Sequence, residues 1–304
     1  MKVIMYHYVR NNQKEYPYFK SLSLSRFKRQ IIVLRKKYGI ISNENQIDKK
    51  NNKVLLTFDD GLKDHLQVAK ILKKNNIIGI FFIPTQPLKN KKILNVHKTH
   101  LILGKKKSSL ALKELKNLIS DQNLIKNKSL FKNYNKIKYL GKSYNNHAKD
   151  EKDKIEFKSV INYLSRDMHL QSKILDKLMK LFKIKKKLKD IYLDNREINQ
   201  INKMGMIIGS HGHSHRLLSE LTSREQKLEI SRSTKYLKKI IGKNLSHFCY
   251  PYGGKKSYNL NTIKILKLNR FKYAYSVNKA DVNSNILKNK PFEIPRYDCV
   301  NFKH

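Results

Sequence analysis

Two short stretches carry side chains that could do chemistry together. In "IIGSHGHSHRLL", residues 207–218, His211, His213 and His215 occupy alternate positions directly after an apolar run, in a chain with 11 histidines in all. An extended backbone throws all three to one side, whereas a helix brings only His211 and His215 onto one face. Either geometry converges two imidazoles. In "LTFDDG", Asp59 and Asp60 end a buried strand. Adjacent carboxylates repel and are costly to bury without a cation or hydrogen-bond donors. A divalent metal offsets that cost: one Asp binds it, and its neighbour, diverging at the strand end, takes a proton from water. The simpler reading of the pair is an Asp-Asp-Gly turn carrying a helix N-cap. Two imidazoles plus one carboxylate leave an open coordination position, which marks a catalytic rather than a structural metal site.

Such groups need strands to hold them. "KVIMYHYV" reads as a first strand that delivers His7, and "SRFKRQIIVLRKKYG" as a helix with a serine N-cap at Ser25 and Gly39 as its stop. "KVLLTFDDG", a helix through "HLQVAKILKKNN" and a strand "IIGIFFIPT" follow. From 96 to 195 the pattern is helical, as in "SSLALKELKNLI" and "HLQSKILDKLMKLFKIKKKLKDIYL", with no β-rich run between. Alternation resumes with a helix near "REINQINKMG", the strand "MIIGSHG", and a helix that Thr222 and Glu225 open as a capping box. "HFCYPYGG", a helix around "NTIKILKLNRF", and strands "KYAYSV" and "FEIPRYD" complete the chain. This is an α/β pattern without internal repeats, and sites in α/β folds assemble at the C-terminal ends of parallel strands. Those ends carry His7, Asp59, Asp60, the histidines and "YPYGG".

Composition bounds the rest. At 304 residues, 39% hydrophobic, the chain can build one large domain or two ordinary ones. Lys plus Arg number 66 against 23 Asp plus Glu, a formal charge of +43. That charge attracts polyanions, but it is spread along the chain as solvated faces, and no RNA-binding or zinc-finger signature accompanies it. A basic nucleic-acid-binding protein stays an alternative, although the 17 Tyr and 12 Phe lie mostly in apolar runs that suit a core better than base stacking. Cys249 and Cys299 cannot form a disulfide framework. No secretory h-region or membrane-spanning run is present, so a cytoplasmic location is expected by default.

"LTFDDG", "GSHGHSH" and "YPYGG", in that order, resemble the polysaccharide deacetylases of carbohydrate esterase family 4, which carry the NodB homology domain. The resemblance covers about residues 1–95 and 196–304. It implies a distorted (β/α)7-type barrel, one domain over 1–304 with 96–195 as a helical insertion, and removal of acetyl groups, chiefly N-acetyl, from a glycan or glycan precursor. It also implies a divalent metal, with Zn2+ as the expected ion. Asp59 then matches the catalytic base, Asp60 the aspartate ligand, and His211 and His215 the ligands of an H-x-x-x-H motif in which His213 has no part. Tyr252 matches the residue whose backbone N–H helps hold the oxyanion. The pattern is departed from at Gly212, usually Ser or Thr, and at Cys249, which stands where an arginine orients the base; Arg296 in "EIPRYD" is the candidate replacement. The family's late general-acid histidine is missing, and His7 is the substitute, as in the circularly permuted branch where that histidine comes early. His97 and His100 are expected to be structural. For a cytoplasmic enzyme the expected substrate is a nucleotide- or lipid-linked glycan precursor, met at the inner membrane's anionic surface, with no specific nucleic acid as partner. A barrel that binds glycans without hydrolysing them is the other alternative, and the insertion is either a lid over the site or an oligomer- or membrane-facing module.

Overall fold

The computed structural model describes residues 1–11, 13–47, 52–120 and 150–303. The chain divides into two compact units, Met1–Asn11 with Ser21–Lys92 and Lys187–His304, and Asn12–Lys20 with Ile93–Lys186. Of the segment expected as an insertion, 121–149 lies outside the described residues.

The first unit is built on a 7-stranded parallel sheet: β1 (Lys2–Tyr6), β2 (Val54–Phe58), β3 (Gly79–Ile83), β4 (Ile207–Ser210), β5 (His247–Cys249), β6 (Tyr273–Tyr275) and β7 (Tyr297–Asp298). The spatial order runs from β6 through β5, β4, β3 and β2 to β1, and then to β7. A parallel bridge between Tyr275 and Ile294 ties β6 to the chain entering β7, while β7 pairs with β1 through Ile4–Tyr297 and Met5–Asp298. The segment 294–298 thus closes the ring between the first and sixth strands, the distorted (β/α)7-type barrel that the motifs imply.

Why these runs are strands follows from their double burial: every residue of β2 and β3 is buried, as expected of parallel strands covered on both faces. Alternate residues divide between two cores. Ile4, Tyr6, Leu56, Phe58, Phe81 and Ile208 pack on the helices, against Phe27, Val68, Ile198 and Ile230 among others. Val3, Leu55, Phe82, Ile207, Cys249, Tyr275 and Ile294 pack on one another inside the ring. Continuing the second series by twos beyond the strand ends gives Thr57 and Asp59, His211, and Arg296. The pleat therefore aims these polar groups into the interior.

The covering helices in this unit include α1 (Leu24–Tyr38), α2 (His65–Lys74) and α3 (Gln86–Asn90). Ser23 caps α1, its hydroxyl accepting from Arg26 N–H, so the cap lies before the expected Ser25; Gly39 ends the helix at φ 71°. The cap moves because Leu24 already fits the helix, packing on the core.

The second unit holds α4 (Asn95–Lys105), α5 (Ser108–Ser120), α6 (Lys152–Tyr163) and α7 (Met168–Leu181), with no strand among its described residues. Their apolar stripes share a core of Ile102, Leu112, Leu115, Phe157, Ile161, Ile174 and Leu178. Residues 13–20 join it: Tyr18 N–H donates to Gly104 O, and the Phe19 ring lies against Gly104 so closely that a Cβ there would meet it at 2.6 Å. His97 and His100 belong to α4, their rings 5.9 Å apart. No helix among the described residues is long and apolar enough to cross a membrane.

The remaining helices belong to the first unit: α8 (Asn195–Lys203), α9 (Ser223–Ile241), α10 (Leu260–Leu268) and α11 (Ser284–Asn289). Thr222 and Glu225 form the expected reciprocal capping box on α9.

Candidate active site

Asp59 extends the line of β2, its N–H donating to Tyr6 O at 2.9 Å. Asp60 then takes a left-handed backbone, φ 78°, followed by Gly61 at φ 59°. A non-glycine residue in that region is costly and is found where surrounding structure enforces it. Here it splits the carboxylate pair. Asp59 stays inside the ring, where Arg296 Nη1 and Nη2 donate to its two oxygens, each at 2.8 Å, and Nη1 also donates to Thr57 Oγ1 at 3.1 Å. Burial pushes the Asp59 carboxyl up, but the Arg296 charge and hydrogen bonds outweigh it and hold the pKa below the ordinary aspartate value. The group is ionised at neutral pH. Cys249 Sγ, 3.0 Å from Arg296 Nη2, fills the neighbouring space as a neutral thiol, its pKa raised by burial.

Asp60 faces the histidines. Its Oδ1 is 3.5 Å from His211 Nε2 and 3.4 Å from His215 Nε2, and all three residues are buried. His211 Nδ1 lies 2.8 Å from Cys249 O. A carbonyl only accepts, so Nδ1 carries a proton and Nε2 faces Asp60. Burial lowers the ring's pKa, but Cys249 and the Asp60 and Asp59 carboxylates outweigh this and raise it well above the ordinary imidazole value, so an ion bound at Nε2 would displace a proton. One carboxylate oxygen and two imidazole nitrogens, mutually within 4.8 Å, fit a divalent ion with a position left open. A second group, Asp59, His211 and Cys249, meets the same distance test. Its donors are committed: Asp59 to Arg296, and Cys249 as a protonated thiol.

His213 turns away. Its Nδ1 is 2.8 Å from Thr85 Oγ1, and the flanking backbone is sewn to the same place by Thr85 N–H to Gly212 O and Gln86 N–H to His213 O. The reason is Gly212, at φ 73°, which breaks the alternation as the chain leaves β4. Tyr252, at φ 65°, sets its ring 5.1 Å from that of His215; burial and then the Asp60 charge push its phenol up to about 12, so it stays protonated. His7, just past β1, has Nε2 3.9 Å from Asp59 Oδ2 and a half-exposed ring. The site thus gathers Asp59, Asp60, His211, His215, Arg296, His7 and Tyr252 and leaves His213 aside.

A polysaccharide deacetylase family model matches residues 174–274, the part that holds the histidine motif and Tyr252. Among solved structures, the chain is similar to the deacetylase PplD of Streptococcus pyogenes in complex with acetate (14% identity, 98% of this chain and 91% of that one, TM-score 0.56). It is also similar to IcaB of Ammonifex degensii (15%, 97% and 89%, 0.54) and to the BpsB deacetylase domain of Bordetella bronchiseptica (14%, 98% and 94%, 0.52). At such identities the likeness is one of fold, and it runs along nearly the whole chain. No curated protein matches. The chain thus matches the polysaccharide deacetylase family model over 174–274 and shares the fold of solved polysaccharide deacetylases.

Two residues that shape this site carry no motif. Glu229, on α9, accepts from His213 N–H at 3.1 Å, from Ser214 N–H at 2.8 Å and from Ser214 Oγ at 2.6 Å, and so fixes the loop between the two histidines of the Asp60 group. A carboxylate on the buried stripe of an amphipathic helix, beside Gln226, Ile230 and Ser233, was the available signal. His65 is buried, its ring edge-on to Phe58 and Phe81, and its Nε2–H donates to His7 O at 2.9 Å, anchoring the main chain that carries His7. Burial lowers its pKa, so it is held neutral. Replacing Glu229 by Gln keeps the size but weakens charge-assisted bonds and turns an NH2 toward N–H groups. Glu229→Gln is expected to weaken divalent-metal affinity by about 10–100-fold, as outer partners of ligands typically do, which metal titration by calorimetry checks.

Proposed function

We propose that this protein removes N-acetyl groups from a glycan or glycan precursor with the help of a divalent ion, Zn2+, held by Asp60, His211 and His215. The observation that supports it best is the division of labour in the Asp pair: Asp60 lies against two imidazoles while Asp59, one residue away, is kept ionised by Arg296. When bound, the ion would supply Lewis acidity to water and to the acetyl carbonyl. Asp59 accepts the proton of the attacking water. The Tyr252 N–H helps hold the oxyanion. Arg296 orients the Asp59 carboxylate through both oxygens, and His7 protonates the departing amine, which leaves poorly without that proton.

The first test is the metal content of the purified protein by mass spectrometry. One bound divalent ion is expected, lost in Asp60→Ala, His211→Ala and His215→Ala and kept in His213→Ala; loss in His213→Ala as well, or no ion after dialysis against zinc, overturns the ligand assignment. An acetate-release screen on N-acetylated oligosaccharides follows. His7→Ala is expected to slow release by about 10²–10⁴-fold, the usual worth of a positioned acid, with metal content unchanged.

The formal charge of +43 supports a phosphate-bearing substrate, nucleotide- or lipid-linked, met in the cytoplasm at the anionic face of the inner membrane. Equal activity on neutral, unlinked N-acetyl sugars, without salt-sensitive membrane association, counts against it. We read 96–195 as an insertion within one deacetylase domain that shapes substrate choice, and unchanged preference after its deletion counts against that role.

A further inference from the structure

Away from the catalytic groups, a cavity of about 530 Å³ opens between α10 and α11. That volume falls in the range of small-molecule sites. Its apolar wall is made by Leu260 and Ile263, one turn apart on α10, with Ile286 of α11 and Pro295. Leu260 is 84% exposed, so the wall reaches the cavity's rim uncovered. Two cations, Lys255 and Lys290, share the lining, and neither makes an ion pair among the described residues. One carboxylate, Glu293, shares the lining with the two lysines and leaves the cavity one net positive charge. The Tyr258 ring is stacked on Tyr250 at 3.8 Å and 8°, which makes that side of the cavity rigid. An aliphatic wall beside two ammonium groups and one carboxylate, net positive, suits an apolar chain ending in a phosphate.

We propose that this cleft holds the lipid phosphate of an isoprenoid- or alkyl-phosphate-linked sugar, a reading that rests on the proposed lipid-linked substrate and gives it a place. The cleft is joined to the catalytic groups by short stretches of chain: Lys255 follows Tyr252 and Gly253, whose carbonyl accepts from Val277 N–H at 2.7 Å, and Pro295 directly precedes Arg296. Lys255 lies on the segment that leaves the C-terminal end of β5, the same strand end that carries Tyr252.

The test is calorimetric binding of decyl phosphate, below its micelle concentration, to the full chain. Tight binding is expected, weakened at least 10-fold in Lys255→Ala/Lys290→Ala and also weakened in Leu260→Ser, whose site is exposed enough to leave folding intact. Lys73→Ala/Lys235→Ala removes the same charge elsewhere and is expected to bind like the parent; equal weakening there reduces the effect to net charge and overturns the proposal. Inorganic phosphate binding as tightly would make the cleft a plain anion site, and decyl maltoside binding as tightly a plain apolar one; either outcome overturns it. Displacement of decyl phosphate by phosphatidylglycerol vesicles would assign the cations to a bilayer surface instead of a single lipid. Binding needs no turnover, so acetate release from a soluble N-acetylated oligosaccharide, measured separately, distinguishes failure of the cleft from failure of the catalytic reading.

Discussion

Asp59→Asn is expected to lower acetate release by about 10²–10⁴-fold while one divalent ion stays bound, the loss that follows removal of a positioned general base. The amide has the shape of the carboxylate but cannot take a proton from water at neutral pH. Metal retention follows from the separation of roles: the Asp60, His211 and His215 donor atoms form their own group, and the backbone reversal at Asp60 turns that carboxylate away from Arg296. Some stability is lost too, because an amide NH2 would meet the guanidinium where an oxygen now accepts at 2.8 Å. Folding must therefore be checked by thermal melt before activity is compared. Full activity in Asp59→Asn would move the base elsewhere and leave Asp59 as the counter-ion of a buried arginine. Parallel loss of metal would mean instead that the two carboxylates act as one ligand unit.

How much of this was legible beforehand varies by residue, for physical reasons. The strands that carry the site were readable because parallel strands buried on both faces appear as continuous apolar runs, "VLLTF" and "GIFFI". Asp59 and Asp60 were readable as a pair, since adjacent carboxylates after such a run need a cation. His7 could be sought at the chain's start because closing a barrel brings its first and last strands together, whereas Arg296 was a candidate only as the replacement for the arginine that the resemblance implies. His213 could not be settled: alternation holds only while the backbone stays extended, and the turn at Gly212, φ 73°, ends it. Glu229 was invisible as a site residue because it works on backbone N–H groups, which every residue has, 15 and 16 positions away. Residues 13–20, between the first strand and the first helix, pack with the helical unit through Tyr18 and Phe19, and pairings of that kind leave no periodic trace.

Arg296→Met should be the most destabilising single change at the site. It deletes both donors to Asp59 and strands a charge that is 2% exposed, the situation in which breaking a buried pair costs about 3–5 kcal/mol. For a domain of this size that is a fall of roughly 6–20 °C in the melting midpoint. The partner deletion discriminates coupling from mere loss of packing: Asp59→Asn/Arg296→Met removes the charge together with its counter-ion, and is expected to recover a large part of the loss, a coupling of at least 1 kcal/mol in a double-mutant cycle. Additive losses would reduce Arg296 to a space-filling side chain. Activity gives a further arm. Cys249 Sγ lies 3.0 Å from the guanidinium and 3.6 Å from Asp59 Oδ2, so a side chain rooted at 249 can reach the same carboxylate once Arg296 is gone. Cys249→Arg in the Arg296→Met background should therefore restore part of the turnover and part of the melting midpoint, whereas Cys249→Arg alone overfills the buried site and should destabilise it. Restoration of stability without turnover would mean that the arginine's origin, and with it the angle at which it grips Asp59, matters to the base as much as its charge does.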